Sequence, residues 1–251
     1  MKSEYPFLSN FTIKNGLILY CIPLFFGLVL FMETSVETGQ EPRVVRSESR
    51  SKLTIDVAGA AIFGALSIVV SQLTTANLPR MEWGIAFFDP VSIIWIAAFL
   101  IFGYRAGVLT CLIGMLGLMP FDPTPLVGPV MKFVATIGLV IIPWAYAKLI
   151  TKQTPTGGDL SQLRIFAPGM AIAWIIRVIV MIGLNYFYIV YVWMVPIQFL
   201  SLGWIGHAEI TGFMAIAVTI FLLNTLQTIF DAVIPYLIVF KGKIYEKFKF
   251  Y

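Results

Sequence analysis

Pro120–Ile150, PFDPTPLVGPVMKFVATIGLVIIPWAYAKLI, decides how the rest of this 251-residue chain is read. It opens as a turn in which Pro123, Pro125 and Pro129 have no N–H to donate, then runs apolar for the ~20 residues that a bilayer crossing takes. A loop therefore feeds directly into a membrane helix. One cation, Lys132, lies about a turn inside that helix, and Lys148 lies near its far end. A lone lysine just below a membrane surface needs either a partner or a route for its ammonium back to the headgroups.

Composition sets the same class for the whole chain. It is 59% hydrophobic and 12% charged, with a mean hydropathy of +0.90, against about 25% charged in ordinary soluble domains. The net charge of +4 does not mark a nucleic-acid footprint, because the 17 Lys and Arg lie between and beside apolar runs, where they report topology. Cys21 and Cys111 each fall in an apolar run without a second ligand at metal spacing, so both read as packing residues.

Upstream, Asp89–Met119 is almost continuously apolar. As one helix it would measure ~46 Å against ~30 Å of hydrocarbon, so two shorter helices turning at GYRAG, Gly103–Gly107, fit better. Leu53–Ala76 is a further spanning helix. Its Ala61 and Ala65 form an A-x-x-x-A pair, with Ala60 and Gly64 one residue earlier and Ala58 and Gly59 a turn before. Small residues four apart allow close helix approach, either to a neighbour in the same bundle or to a second protein. Asn77–Phe88 is an aromatic loop. Glu33–Lys52 is polar and reads as a linker, and Gly16–Met32 is a short apolar run broken by Pro23, expected as an extra membrane segment rather than a cleaved signal.

Downstream, Thr151–Leu163 is a polar loop whose Gly157-Gly158 lacks the Lys-Ser/Thr of a phosphate loop. Two long apolar runs follow, Arg164 to about Trp193 and about Ile210 to Phe240. Between them an aromatic loop carries the one histidine, His207, which without partners reads as an interfacial residue. The expected organisation is an N-terminal segment and linker over 1–52, an all-α bundle of six transmembrane helices over 53–243, and a basic tail over 244–251. Placing Arg43, Arg46, Arg50, Lys52, Arg105, Lys148, Lys152, Arg164 and the tail lysines on one side satisfies the positive-inside rule. That puts a multi-pass protein in the cell membrane with its C-terminus in the cytoplasm.

Polar residues inside the spans are the candidates for function. Arg177 and Asp231 lie at ~18–20 Å and ~15 Å from the inner ends of their helices, matching depths at which unpaired charges are costly, so they are expected to pair. Farther out, Asn185, Asn224 and Gln227, with Tyr186 and Lys132, are placed to converge on a small-molecule site in the outer half. Amides can equally serve as helix–helix hydrogen bonds. No His/Glu metal set, Ser/His pair or paired carboxylates occur in the spans, so neither an enzyme nor a bound cofactor is expected.

The order of these features is similar to a known family. The small-residue first helix, FFDPVSIIWIAAFLIFGYRAGVLTCLIGML, PLVGPVMKFVATIGLVIIPWAYAKL, MIGLNYFYIV and FLLNTLQTIFDAVIPYLIVF together resemble the substrate-binding S components of energy-coupling factor (ECF) vitamin transporters, nearest the riboflavin-binding branch. The resemblance covers Leu53–Lys243. It implies a six-helix fold that captures a vitamin, riboflavin or a related aromatic, and hands it to a transmembrane coupling subunit driven by two cytoplasmic ATPases. On this resemblance Ala58, Ala61 and Ala65 dock the coupling subunit, Asn77–Phe88 gates the site, and Asn185 and Asn224 contact ligand. The chain departs from the branch at Gln227, where a lysine is typical, and at Lys132, where a neutral residue is more usual. The alternative reading is a secondary transporter of a small molecule, driven by protons or sodium, with Arg177 and Asp231 as coupling groups.

Overall fold

In a computed structural model the residues described are 43–77, 88–122, 124 and 126–248. The segment 16–32, Cys21 and the loop over 78–87 lie outside the described residues. The chain divides into units 1–48 and 49–251, close to the boundary expected after Lys52.

The described residues are mostly helical: α1 Arg43–Asn77, α2 Pro90–Phe102, α3 Tyr104–Leu118, α4 Val127–Thr151, α5 Gly157–Leu160, α6 Leu163–Phe187, α7 Gly212–Tyr236 and α8 Ile244–Phe248. Wider π turns extend α6 through Tyr188–Val192 and α7 through Leu237–Lys241. Four of these, counted with their extensions, are long and apolar enough to cross a bilayer; α2 and α3 are shorter apolar helices. Large side chains such as Ile62, Val69, Ile175, Ile179 and Phe221 are exposed on them, an outward apolar surface that suits lipid. The chain is a multi-pass, all-α membrane protein in character.

Two sequence expectations are corrected. The presumed linker is helical from Arg43, because Arg, Glu and Lys are good helix formers and extending a helix from an apolar nucleus costs little. The region between α6 and α7 holds an antiparallel hairpin, β1 Ser201–Leu202 with β2 His207–Thr211, pinned to α7 where Trp204 Nε1 donates to Thr219 Oγ1 at 3.2 Å.

The turn expected at GYRAG is a single residue. Gly103 has φ 103°, a left-handed value open to glycine, and α3 starts immediately after it. A Cβ on Gly107 would lie 2.6 Å from Phe99 Cβ, so the glycine lets the two short helices press together. Among the described residues, the core runs through this hairpin, with Trp95, Ile96, Phe99 and Leu100 fully buried against Leu139 and Val140 of α4.

Length is what places the site. At 1.5 Å per residue α2 and α3 are ~20 and ~22 Å long, whereas α4 is ~38 Å. The α2 helix touches the Leu237–Lys241 turn and α8, at the end of the bundle that carries Lys148, Lys152 and Lys241. Both short helices therefore stop partway along their longer neighbours. Above their ends α4, α6 and α7 continue, and the gap is the cavity described next.

Candidate functional site

Asp89 ends the chain's approach to α2. Its Oδ1 accepts from Val91 N at 3.1 Å and Pro90 occupies the first turn, a combination that starts helices well. Its other oxygen, Oδ2, meets Lys132 Nζ of α4 at 2.9 Å, with the two side chains 14% and 21% exposed. Lys132 thus turns inward to a carboxylate rather than out to the headgroups.

Deeper, the expected Arg177–Asp231 pair is present, with Arg177 NH1 2.7 Å from Asp231 Oδ2 and both side chains almost wholly buried. The guanidinium also donates from Nε to Asn224 Oδ1 at 3.0 Å and from NH2 to Gln227 Oε1 at 2.9 Å. Ser92 Oγ of α2 donates to Asp231 Oδ1 at 2.5 Å. Arg177 is therefore gripped by one face of α7, at positions 224, 227 and 231, which the helical period stacks in line. This network ties α2, α6 and α7 together at the level where α2 begins.

Between the two pairs is a cavity of about 160 Å³. Lys132, Asn185, Asn224 and Gln227, all expected at a site, line it, as does Arg177. Asn185 is 7% exposed and donates from Nδ2 to Met181 O at 2.8 Å. Among the described residues its carboxamide oxygen has no partner. Asn224 and Gln227 use their oxygens on Arg177, so they shape the cavity chiefly through that cation. Tyr186 does not line the cavity. It packs against Phe213 and Tyr191, with ring centroids 5.5 and 6.4 Å away, because Arg177, Met181 and Asn185 take the inward stripe of α6 and the next residue turns ~100° off it.

Several lining residues were not singled out in the sequence. Asp122 lies in the turn before α4 and accepts from Thr124 N and Thr124 Oγ1, both at 2.9 Å, through one oxygen. A Cβ on Gly128 would lie 2.4 Å from that oxygen, so the glycine lets the carboxylate lie against the first turn of α4. Trp95 and Trp193 add aromatic walls. Trp95 Nε1 donates to Ser67 Oγ of α1 at 2.9 Å, which joins the cavity to the first helix. The available signal was the repeated tripeptide Phe88-Asp89-Pro90 and Phe121-Asp122-Pro123, of which the first starts α2 and the second lies in the turn ahead of α4.

On α1, Gly59, Gly64 and Ser67 face the α2–α3 hairpin, where Cβ atoms on the two glycines would lie 2.9 Å from Phe102 and 2.6 Å from Ile113. Ala58, Ala61 and Ala65 are exposed on the opposite side. Among the described residues no group of His, Cys, Asp and Glu could hold a metal ion, and His207 is exposed, 2.9 Å from Glu209. A cavity walled mainly by apolar surface, with a few fixed polar groups, suits reversible binding. Comparison with protein-family models, curated proteins and solved structures returns no significant match.

Proposed function

We propose that this protein is a membrane-embedded capture subunit for a small molecule, of the ECF type, working with a transmembrane coupling subunit and cytoplasmic ATPases. The observation that carries this reading is the cavity above the stopped ends of α2 and α3, lined by Lys132, Arg177, Asn185 and two tryptophans. The outward face of Ala58, Ala61 and Ala65 supports it, since small residues permit the close helix approach that a docking subunit needs. The positive-inside distribution supports a cavity on the outer side, with the lysine-bearing end toward the cytoplasm.

The cavity volume narrows the ligand. Drug-sized ligands occupy sites of ~300–1,000 Å³, whereas a cavity of ~150 Å³ accommodates benzene. About 160 Å³ favours a single-ring molecule over a flavin with its three fused rings and side chain. The ion-coupled alternative is less well supported, because Arg177 and Asp231 are bound on all sides by Asn224, Gln227 and Ser92, as a structural brace would be.

Purification from cells in mild detergent, followed by solvent extraction and mass spectrometry, tests the reading. A stoichiometric small molecule that is lost in Asn185→Ala supports capture. An empty protein that takes up a substrate alone in liposomes under a proton or sodium gradient would replace it with the secondary transporter.

A further inference from the structure

The charges around the cavity do not balance. By formal charge three carboxylates, Asp89, Asp122 and Asp231, stand against two cations, Lys132 and Arg177. Asp231 is neutralised by Arg177 and Asp89 by Lys132. Asp122 has no cation within 4.0 Å among the described residues, and Thr124 occupies only one of its oxygens. A second acceptor lines the same cavity: the Asn185 carboxamide, 7% exposed, with its oxygen unused among the described residues. Trp193, partly exposed among the lining residues, supplies an aromatic ring of the kind that holds an organic cation well. Of the donors, Arg177 is engaged by three acceptors, the indole N–H of Trp95 by Ser67, and the Lys132 ammonium by Asp89.

We infer that the cavity takes a monocationic, single-ring-sized organic molecule, whose protonated nitrogen is held by Asp122 and Asn185 beside Trp193. This rests on the capture reading above and names its ligand class. A neutral or anionic ring would leave the partly buried Asp122 carboxylate without a counter-charge among the described residues, which is less favourable than pairing it. Lys132 is then the counter-ion of Asp89 and not of the ligand, which reverses the role its position first suggests. An inorganic cation such as sodium would meet the same two oxygens, and the probes below separate it from an organic one.

The test uses the full chain in nanodiscs, with benzylammonium, benzyl alcohol and benzoate as probes of similar size and different charge, and binding read by calorimetry. Benzylammonium is expected to bind roughly ten- to a hundredfold more tightly than benzyl alcohol, the range for a hydrogen bond to a charged group. Benzoate is expected to bind more weakly than either. Asp122→Asn keeps the side-chain shape and an acceptor for Thr124, and should reduce that preference to within about twofold. Lys132→Met frees Asp89 and should tighten benzylammonium. An unchanged preference in Asp122→Asn, or a preference for benzoate or benzyl alcohol, overturns the cationic assignment and leaves the capture reading standing. An Asp122-dependent response to sodium chloride without one to benzylammonium overturns the organic ligand. Failure of all three probes to bind the wild-type protein overturns the site itself.

Discussion

Two ion pairs at two depths of one bundle differ in what surrounds them. Arg177–Asp231 is almost wholly buried and closed by Ser92, Asn224 and Gln227, whereas Lys132–Asp89 is partly exposed on the cavity wall with a single contact between its partners. A charge pair that is fully hydrogen-bonded costs most when it is broken, because each partner strands the others. A pair that borders open space loses less and can be reorganised. The Arg177 pair thus reads as scaffold and the Lys132 pair as cavity wall, the part that the proposed ligand would meet.

Breaking the inner pair gives the largest effect. Arg177→Met leaves Asp231 buried and unpaired, and should lower stability by about 3–5 kcal/mol. The fall is read as a lower unfolding temperature in detergent. Adding Asp231→Leu should recover part of this loss, and a double variant no better than the single one would show that the two residues do not act as a pair. Asp89→Ala removes both the cap of α2 and the partner of Lys132, so it should cost about 1 kcal/mol from the cap alone, seen in the same melt.

Lys132→Met is smaller again. Asp89 keeps its cap, and a partly exposed pair is worth about 0–1 kcal/mol, so the melt should barely move while binding changes. A collapse of the fold on this substitution would erase the distinction between the two pairs. The smallest effect belongs to a third pair, His207–Glu209, on the exposed hairpin. Backbone hydrogen bonding at Glu209, and then His207, hold its carboxyl below the usual range. The sign follows: the contribution is present above the ordinary carboxylate pKa and is lost as pH falls through the lowered folded value. In His207→Ala, NMR titration should find the Glu209 carboxyl moved back up toward its ordinary range.

Much of this was legible in the sequence, and the physics says why. Arg177 and Asp231 could be matched because depth along a helix is fixed by residue count, and a mid-bilayer charge has few alternatives to pairing. The split of 89–119 followed from length alone. Tyr186 does not line the cavity with its neighbour Asn185, because adjacent residues on a helix do not share a face. Asp89 and Asp122 were passed over because a carboxylate before a proline reads locally as a helix start. Nothing in the chain's order reveals that both open onto one space. The hairpin over 201–211 hid in an aromatic loop whose strands, two and five residues long, are too brief for an alternating pattern to show.

The short helices of the hairpin also bear on how such a protein can change over time. Helix termini inside a bilayer expose amides and carbonyls that lipid cannot satisfy, and they are tolerated where they border a polar recess. The recess beside Asp89 and Asp122 is therefore demanded by the backbone before any ligand is considered, and filling it with larger apolar side chains would strand the ends of α2 and α3. Selection can then change the lining side chains while the backbone keeps the recess open.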